Sequence, residues 1–189
     1  KYQVIRNAIS YDLANFCFNY FLLKRDAIKF MYDNNFIAEN GMHGTWKDEQ
    51  VPGVYSIYAD HVMETLLVKT LPVMKEKTGL DLLPTYSYAR VYEKGSILEK
   101  HKDRPSCEIS TTLNLGGDLW PIYVEGIKID LNPGDMLIYA GCELEHWREP
   151  FEGNICGQVF LHYNHADGPF AKTNLYDKRP MLGIPSLRK

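Results

Sequence analysis

The chain lacks any closely spaced cysteine pair: Cys17, Cys107, Cys142 and Cys156 stand apart along 189 residues. Zinc-ribbon and thioredoxin-like sites, which need CxxC spacing, are thereby excluded. Scattered thiols in a chain this long are expected to be reduced and mostly buried, and the compartment to be cytoplasmic. No apolar run approaches the roughly 18 residues of a membrane span. The longest such run near the start is interrupted by Asn19, Lys24, Arg25 and Asp26, so no membrane association is expected. Basic runs are missing as well. With 21 Lys and Arg against 24 Asp and Glu the net charge is -3, which leaves no stripe for gripping a nucleic-acid backbone. Nucleic acid is therefore not the expected partner. Internal repeats and low-complexity tracts are also lacking.

What is present is the composition of an ordinary globular domain, with 45% apolar, 24% charged and 13% aromatic residues. One domain over 1–189 is expected. Ser10 is placed to cap a helix over about 11–33, with Asp12 in its first turn and an apolar face of Leu13, Phe16, Cys17, Tyr20, Leu23 and Ile28. Residues 39–53 read as a loop. A second helix is predicted over about 56–78, with Val62, Leu66, Leu67, Leu71 and Val73 inward, Gly79 as its stop and a break or kink at Pro72.

From Leu83 the texture changes. Thr85–Tyr92, Glu108–Leu115, Trp120–Val124, Ile127–Leu131, Asp135–Tyr139 and Gln158–Tyr163 read as strands between Gly, Pro and Asn turn signals. Helices over about 1–80, a β-rich core over about 83–165 and an irregular tail from about Asp167 define an α+β class, with the strands closing into a sandwich or barrel.

His101-Lys102-Asp103 carries the chemistry. The first and third residues of an extended segment point to one side, so an imidazole and a carboxylate can face one ion. His146, after the run Asp135–Ala140, can meet them across the barrel mouth. Two imidazoles and one carboxylate on one face of an octahedron leave three positions open, which suits non-haem Fe(II). A 2-oxo acid fills two of these positions and dioxygen the third. A structural zinc site is closed by four protein ligands instead. On its own, an HxD more often marks a charged surface turn, and Lys100, Lys102 and Arg104 flank this one.

The context changes that reading. Tyr92-Glu93-Lys94-Gly95, His101-Lys102-Asp103, Thr112-Leu113-Asn114-Leu115, the run from Leu131 to Tyr139, and His146-Trp147-Arg148-Glu149-Pro150 follow in order. Residues 85–164 thus resemble the double-stranded β-helix, or jelly-roll, core of the iron(II)/2-oxoglutarate-dependent oxygenases, and most of all their prolyl 4-hydroxylase-like branch. The resemblance implies a dioxygenase with Fe(II) on His101, Asp103 and His146, 2-oxoglutarate as co-substrate, and hydroxylation of a C–H bond. The implied substrate is a prolyl residue in a peptide or protein, or a small amino acid. In much of that family an Arg or Lys nine or ten residues after the distal histidine anchors the co-substrate. Here those positions are Ile155 and Cys156.

A replacement anchor is expected on the preceding strand. Arg90 and Tyr92 alternate with Val91 and share a face, and Tyr92 matches the family's co-substrate tyrosine. Thr112 is a further hydroxyl donor, and Arg104 and Arg148 are reserves. The competing readings for Arg90 and Tyr92 are a surface arginine and core packing. Among the other candidates, His43 and His61 are expected to be solvated or capping, and His162 and His165 structural. Glu143 and Glu145 are expected to be loop carboxylates or ligand orienters, and Trp120 and Trp147 substrate wall or core. Cys107 is expected to be a buried thiol. Two rival functions remain open: oxidative demethylation or hydroxylation of nucleic acid by the same chemistry, and a non-catalytic β-sandwich binding module.

Overall fold

A computed structural model describes residues 2–185. The elements run β1 (Tyr2–Ile5), α1 (Tyr11–Asp33), β2 (Tyr55–Tyr58), α2 (His61–Thr78), β3 (Leu82–Glu93), β4 (Leu98–His101), β5 (Ile109–Gly117), β6 (Ile122–Val124), β7 (Ile127–Ile129), β8 (Met136–Ala140), β9 (His146–Arg148), β10 (Ile155–His165) and α3 (Ala171–Asn174). Among the described residues the strands form a six-stranded sheet, β1-β8-β5-β10-β3-β2, and a four-stranded sheet, β4-β9-β6-β7. All pairs are antiparallel. The class is α+β, as expected.

The two sheets face each other, and Arg148 on β9 reaches the Thr112 hydroxyl on β5 across the gap. Between them lie Tyr92, Trp120, Phe151, Cys156 and Phe160, beside a second group around Ile122, Val124, Leu137 and Tyr139. On the outer face of the larger sheet α1 packs against β5 and α2 against β3. Phe21, Met63, Leu67, Leu113 and Val159 fill that interface. Covered on both faces, β3 and β10 are buried along most of their length, polar residues such as Ser87, Arg90, Gln158 and Asn164 included.

The capping chemistry sets the helix limits. Ser10 accepts from the Leu13 amide at the start of α1. Asp60 accepts from the Val62 and Met63 amides, and Gly79 closes α2 in the left-handed conformation at φ 69°. The predicted second helix is therefore corrected at its start. Tyr55–Tyr58, rich in aromatic and β-branched residues, pairs with β3 as a strand. Helix α2 runs through Pro72 unbroken. The carbonyl deprived of a donor there belongs to Val68, which is 51% exposed, so water can serve it.

The inner face of α1 is also corrected. Ala14, Cys17, Phe21 and Ile28 are buried, whereas Phe16 and Leu23 face outward. Strands β1, β4 and β9 were not anticipated; they are too short for an alternating pattern to register. The tail holds α3 and a tight turn over Leu175–Lys178, with Asp177 and Arg179 buried against the body. Residues 186–189 of the predicted tail lie outside the described residues. None of the described helices is long and apolar enough to cross a membrane. The four cysteines are unpaired, three of them buried.

Candidate metal centre

Strands β4 and β9 are neighbours, and their register sets His101 directly opposite His146. The ring centroids are 4.2 Å apart. Asp103 follows β4, and its amide is tied to the Gly141 carbonyl just after β8. One carboxylate oxygen, Oδ1, lies 3.5 Å from His146 Nε2 and 3.7 Å from His101 Nε2. Three donor atoms from two chain segments thus converge within ligand-sharing distance.

Backbone carbonyls orient both imidazoles. His101 Nδ1 sits 2.8 Å from the Glu99 carbonyl and His146 Nδ1 3.0 Å from that of Leu144. A carbonyl only accepts, so in the neutral ring Nδ1 carries the proton and the Nε2 lone pair turns toward Asp103, with the Tyr139 hydroxyl 3.5 Å from Nε2 of His146. Burial lowers the His101 pKa, with the nearby His146 adding to it, which keeps that lone pair free. Burial works to raise the Asp103 pKa, but the contacts with His146, His162 and Ser110 outweigh it and bring the carboxyl down to about 2. A neutral imidazole at His101 and an ionised carboxylate at Asp103 are protonation states that a divalent ion requires.

Behind Asp103 lies a second, fully protein-lined layer. Ser110 Oγ is 2.8 Å from Asp103 Oδ2 and 3.0 Å from His162 Nδ1. His162 is buried beside Tyr86, with ring centroids 4.5 Å apart, and burial lowers its pKa to about 4. Cys107 also lies near Asp103 and His162, but burial pushes its thiol far above the usual range. That trio is therefore poorly suited to a cation. Gly141 admits Asp103 to this corner, because a Cβ there would overlap Asp103 Oδ2 and come within 2.7 Å of Ser110 Oγ.

A cavity of about 160 Å³ opens on the three residues, walled by Gln50, Tyr86, Tyr88, Arg90, Leu98, Ile122, Tyr139, Phe160 and His162. A larger open groove of about 640 Å³ lies elsewhere, along β1, β8 and the end of α2, and none of the three residues lines it.

Arg90 does face the cavity, as strand alternation implied, but its charge is already met. Its Nε and Nη2 donate to Asp48 at 2.8 and 3.1 Å, Nη2 also donates to Gln50 at 2.7 Å, and Nη1 is 3.3 Å from the Tyr92 hydroxyl. Asp48 is itself buried and further bound by Tyr88 and two loop amides. Arg90, expected to anchor the co-substrate, is thus already paired with a buried carboxylate. Nothing in the sequence order announced that loop 39–53 folds across β3 to supply Asp48.

Arg148 is the contrasting case. It is 1% exposed and lies between the sheets. It donates to the Trp120 carbonyl and, at 3.3 Å, to Thr112 Oγ1, while its Nε has no partner among the described residues. It forms no ion pair there, and its pKa is lowered by burial, with Cys156, Tyr92 and Tyr139 the groups that act on its charge. Tyr92 and Thr112 are fully buried around it. The cation missing from position 156 on β10 thus reaches the same interior from β9 on the opposite sheet.

The remaining candidates separate cleanly. Glu143 and Glu145 do not orient the imidazoles; the carbonyls of Glu99 and Leu144 do. Trp120 is buried and bonded to the Glu149 carbonyl, whereas Trp147 is half-buried and stacked on Tyr123 under Lys100. His61 meets the Gly183 carbonyl. Neither His61, His43 nor His165 lines the cavity. Arg104 is bound bidentately by Asp177.

No family sequence model matches the chain, and no curated protein sequence does. Solved structures do. A Pseudomonas putida prolyl-4-hydroxylase aligns with TM-score 0.59 at 15% identity, over 87% of this chain and 92% of that one. The non-heme alpha ketoglutarate dependent epimerase SnoN from nogalamycin biosynthesis aligns with TM-score 0.66 at 12% identity, over 100% of this chain and 88% of that one. EctD from S. alaskensis, a structure with bound Fe, gives 0.59 at 14% identity over 99% and 82%. At such identities the likeness is one of fold: the chain has the jelly roll of the 2-oxoglutarate/Fe(II) oxygenases.

Proposed function

We propose that the protein is an Fe(II)- and 2-oxoglutarate-dependent dioxygenase that hydroxylates a C–H bond, with His101, Asp103 and His146 as the metal ligands. The observation that carries this reading is the convergence of two imidazole Nε2 atoms and one carboxylate oxygen on one point, beside an open cavity and with no fourth protein donor in the group among the described residues. A closed structural site needs a fourth donor; an oxygenase needs the vacancy. When bound, Fe(II) and 2-oxoglutarate would supply the oxidising chemistry with dioxygen.

The interior behind the cavity wall holds one cation without a carboxylate partner among the described residues. An orphaned guanidinium between two sheets is costly without an anion, and Arg148 is such a group. We assign it the distal carboxylate of the co-substrate, with Thr112 and Tyr92 beside it. Arg90, neutralised by Asp48, forms the cavity wall. Gln50, Tyr86, Tyr88 and Phe160 exclude water and shape the space left for substrate. A prolyl residue in a peptide or protein, or a small amino acid, is the substrate favoured by the prolyl 4-hydroxylase-like motif order and by the likeness to a prolyl-4-hydroxylase. Both arginines near the mouth, Arg90 and Arg104, are tied to carboxylates, which argues against a phosphate backbone as partner.

The test is anaerobic titration with Fe(II) and 2-oxoglutarate, followed by oxygen. A weak visible charge-transfer band and succinate release are expected, and both vanish in Asp103→Ala. Proline-containing peptides and free proline should raise succinate yield if the substrate class is right. Absence of band and succinate in the wild type would exclude the oxygenase reading.

A further inference from the structure

The two oxygens of Asp103 face different worlds. Oδ1 points at the imidazoles, and Oδ2 is held 2.8 Å from Ser110 Oγ in the corner left by Gly141. Ser110 has one proton and three acceptors or partners in reach: Asp103 Oδ2, the Cys107 carbonyl at 2.9 Å and His162 Nδ1 at 3.0 Å. An ionised carboxylate is the strongest of the acceptors. With the hydroxyl proton committed there, His162 must donate from Nδ1 to Ser110 Oγ. Ser110 is fully buried, which keeps bulk water from its hydroxyl.

We propose that Ser110 and His162 are positioning residues, a relay running His162 Nδ1–H to Ser110 Oγ–H to Asp103 Oδ2, that restricts Asp103 to ligation through Oδ1 alone. The relay deepens the oxygenase reading and rests on it. With Oδ2 occupied by a donor, Asp103 takes one coordination position and not two, which preserves the vacancy the chemistry needs. Each bond in the relay polarises the next, so losing either member weakens the whole. The same tautomer leaves His162 Nε2 as a bare acceptor on a residue that walls the cavity.

The experiment uses the full chain and Co(II) as the metal probe. Ring-nitrogen NMR of the metal-free wild type should show His162 protonated on Nδ1; a ring protonated on Nε2 overturns the relay whatever the variants do. Calorimetric Co(II) titration should give about 10- to 100-fold weaker binding for Ser110→Ala and His162→Leu, the range usual for groups behind a ligand. His162→Asn, whose amide nitrogen can stand where Nδ1 stood, should recover most of that loss. A residue that merely packs would lower the melting temperature without moving Co(II) affinity, and that outcome also overturns the proposal. Wild-type protein that binds no Co(II), or binds it equally well as Asp103→Ala, sinks the metal reading itself and so is told apart from failure of the relay.

Discussion

Arg148 and Arg90 are both buried arginines near one site, yet opposite signs are expected from their removal. Arg148 pays desolvation with no counter-ion, so Arg148→Met should stabilise the ligand-free protein by about 1 kcal/mol or more, as apolar replacement of buried charge often does. It should also raise the 2-oxoglutarate requirement far more than the Fe(II) requirement. Arg90→Met strands Asp48, which is 7% exposed, without its partner. A loss of about 3–5 kcal/mol follows from breaking such a pair, with a smaller effect on 2-oxoglutarate. Urea unfolding with and without 2-oxoglutarate reads both; a destabilised Arg148→Met with unchanged co-substrate dependence would overturn the assignment. Gly141→Ala tests the Asp103 corner. Its Cβ would collide with Asp103 Oδ2 and the Cys107 carbonyl, so metal affinity should drop at least tenfold in a titration. At this scale the candidate metal ligands were legible, because residue type and order specify ligand chemistry. The state of Arg90 was not, because Asp48 comes from a loop distant in sequence.

The C-terminal turn is the element with the most backbone strain. Tyr176, Asp177 and Lys178 all have positive φ, at 47°, 55° and 66°, each costing on the order of 1 kcal/mol or more. Asp177 holds the turn in place by accepting from both Arg104 nitrogens, Ser106 and Tyr58. Burial works to raise its pKa, but these donors win and set it at about 2. A carboxyl depressed below its unfolded value near 3.9 stabilises the fold fully above that value, and the contribution is lost as pH falls through about 2. The stability gap between wild type and Asp177→Asn should therefore be widest above about pH 5 and close toward pH 2, which acid-dependent unfolding measures directly. A gap independent of pH would mean the ion pair adds nothing. The long elements were legible here through capping and periodicity, as with Ser10 and Gly79. The short strands β4 and β9, which carry both imidazoles, were not, since they pair side by side in the smaller sheet although some 45 residues separate the two histidines.

At the level of the whole molecule, ligands that bind only the folded state must stabilise it. Fe(II) under argon with 2-oxoglutarate at a hundred times its Kd should add about 2.7 kcal/mol, seen as a rise in melting temperature. Asp103→Ala should show almost none of that rise, and an equal rise in both would place the ligands elsewhere. The packing explains why one site can couple to global stability. His101 and His146 lie on the smaller sheet, Thr112 on the larger, and Arg148 spans the two.

The sequence by itself determined the two long helices and the longer strands in their order, the HxD and distal histidine, and the absence of the usual basic residue at Ile155 or Cys156. These follow from local rules of spacing, capping and turn chemistry, which act within a few residues. The tertiary structure alone decided which arginine is left without a counter-ion, which oxygen of Asp103 faces the imidazoles, and that Ser110 and His162 stand behind it. Those outcomes depend on burial and on partners from separate segments, and only folding brings such groups within hydrogen-bonding distance.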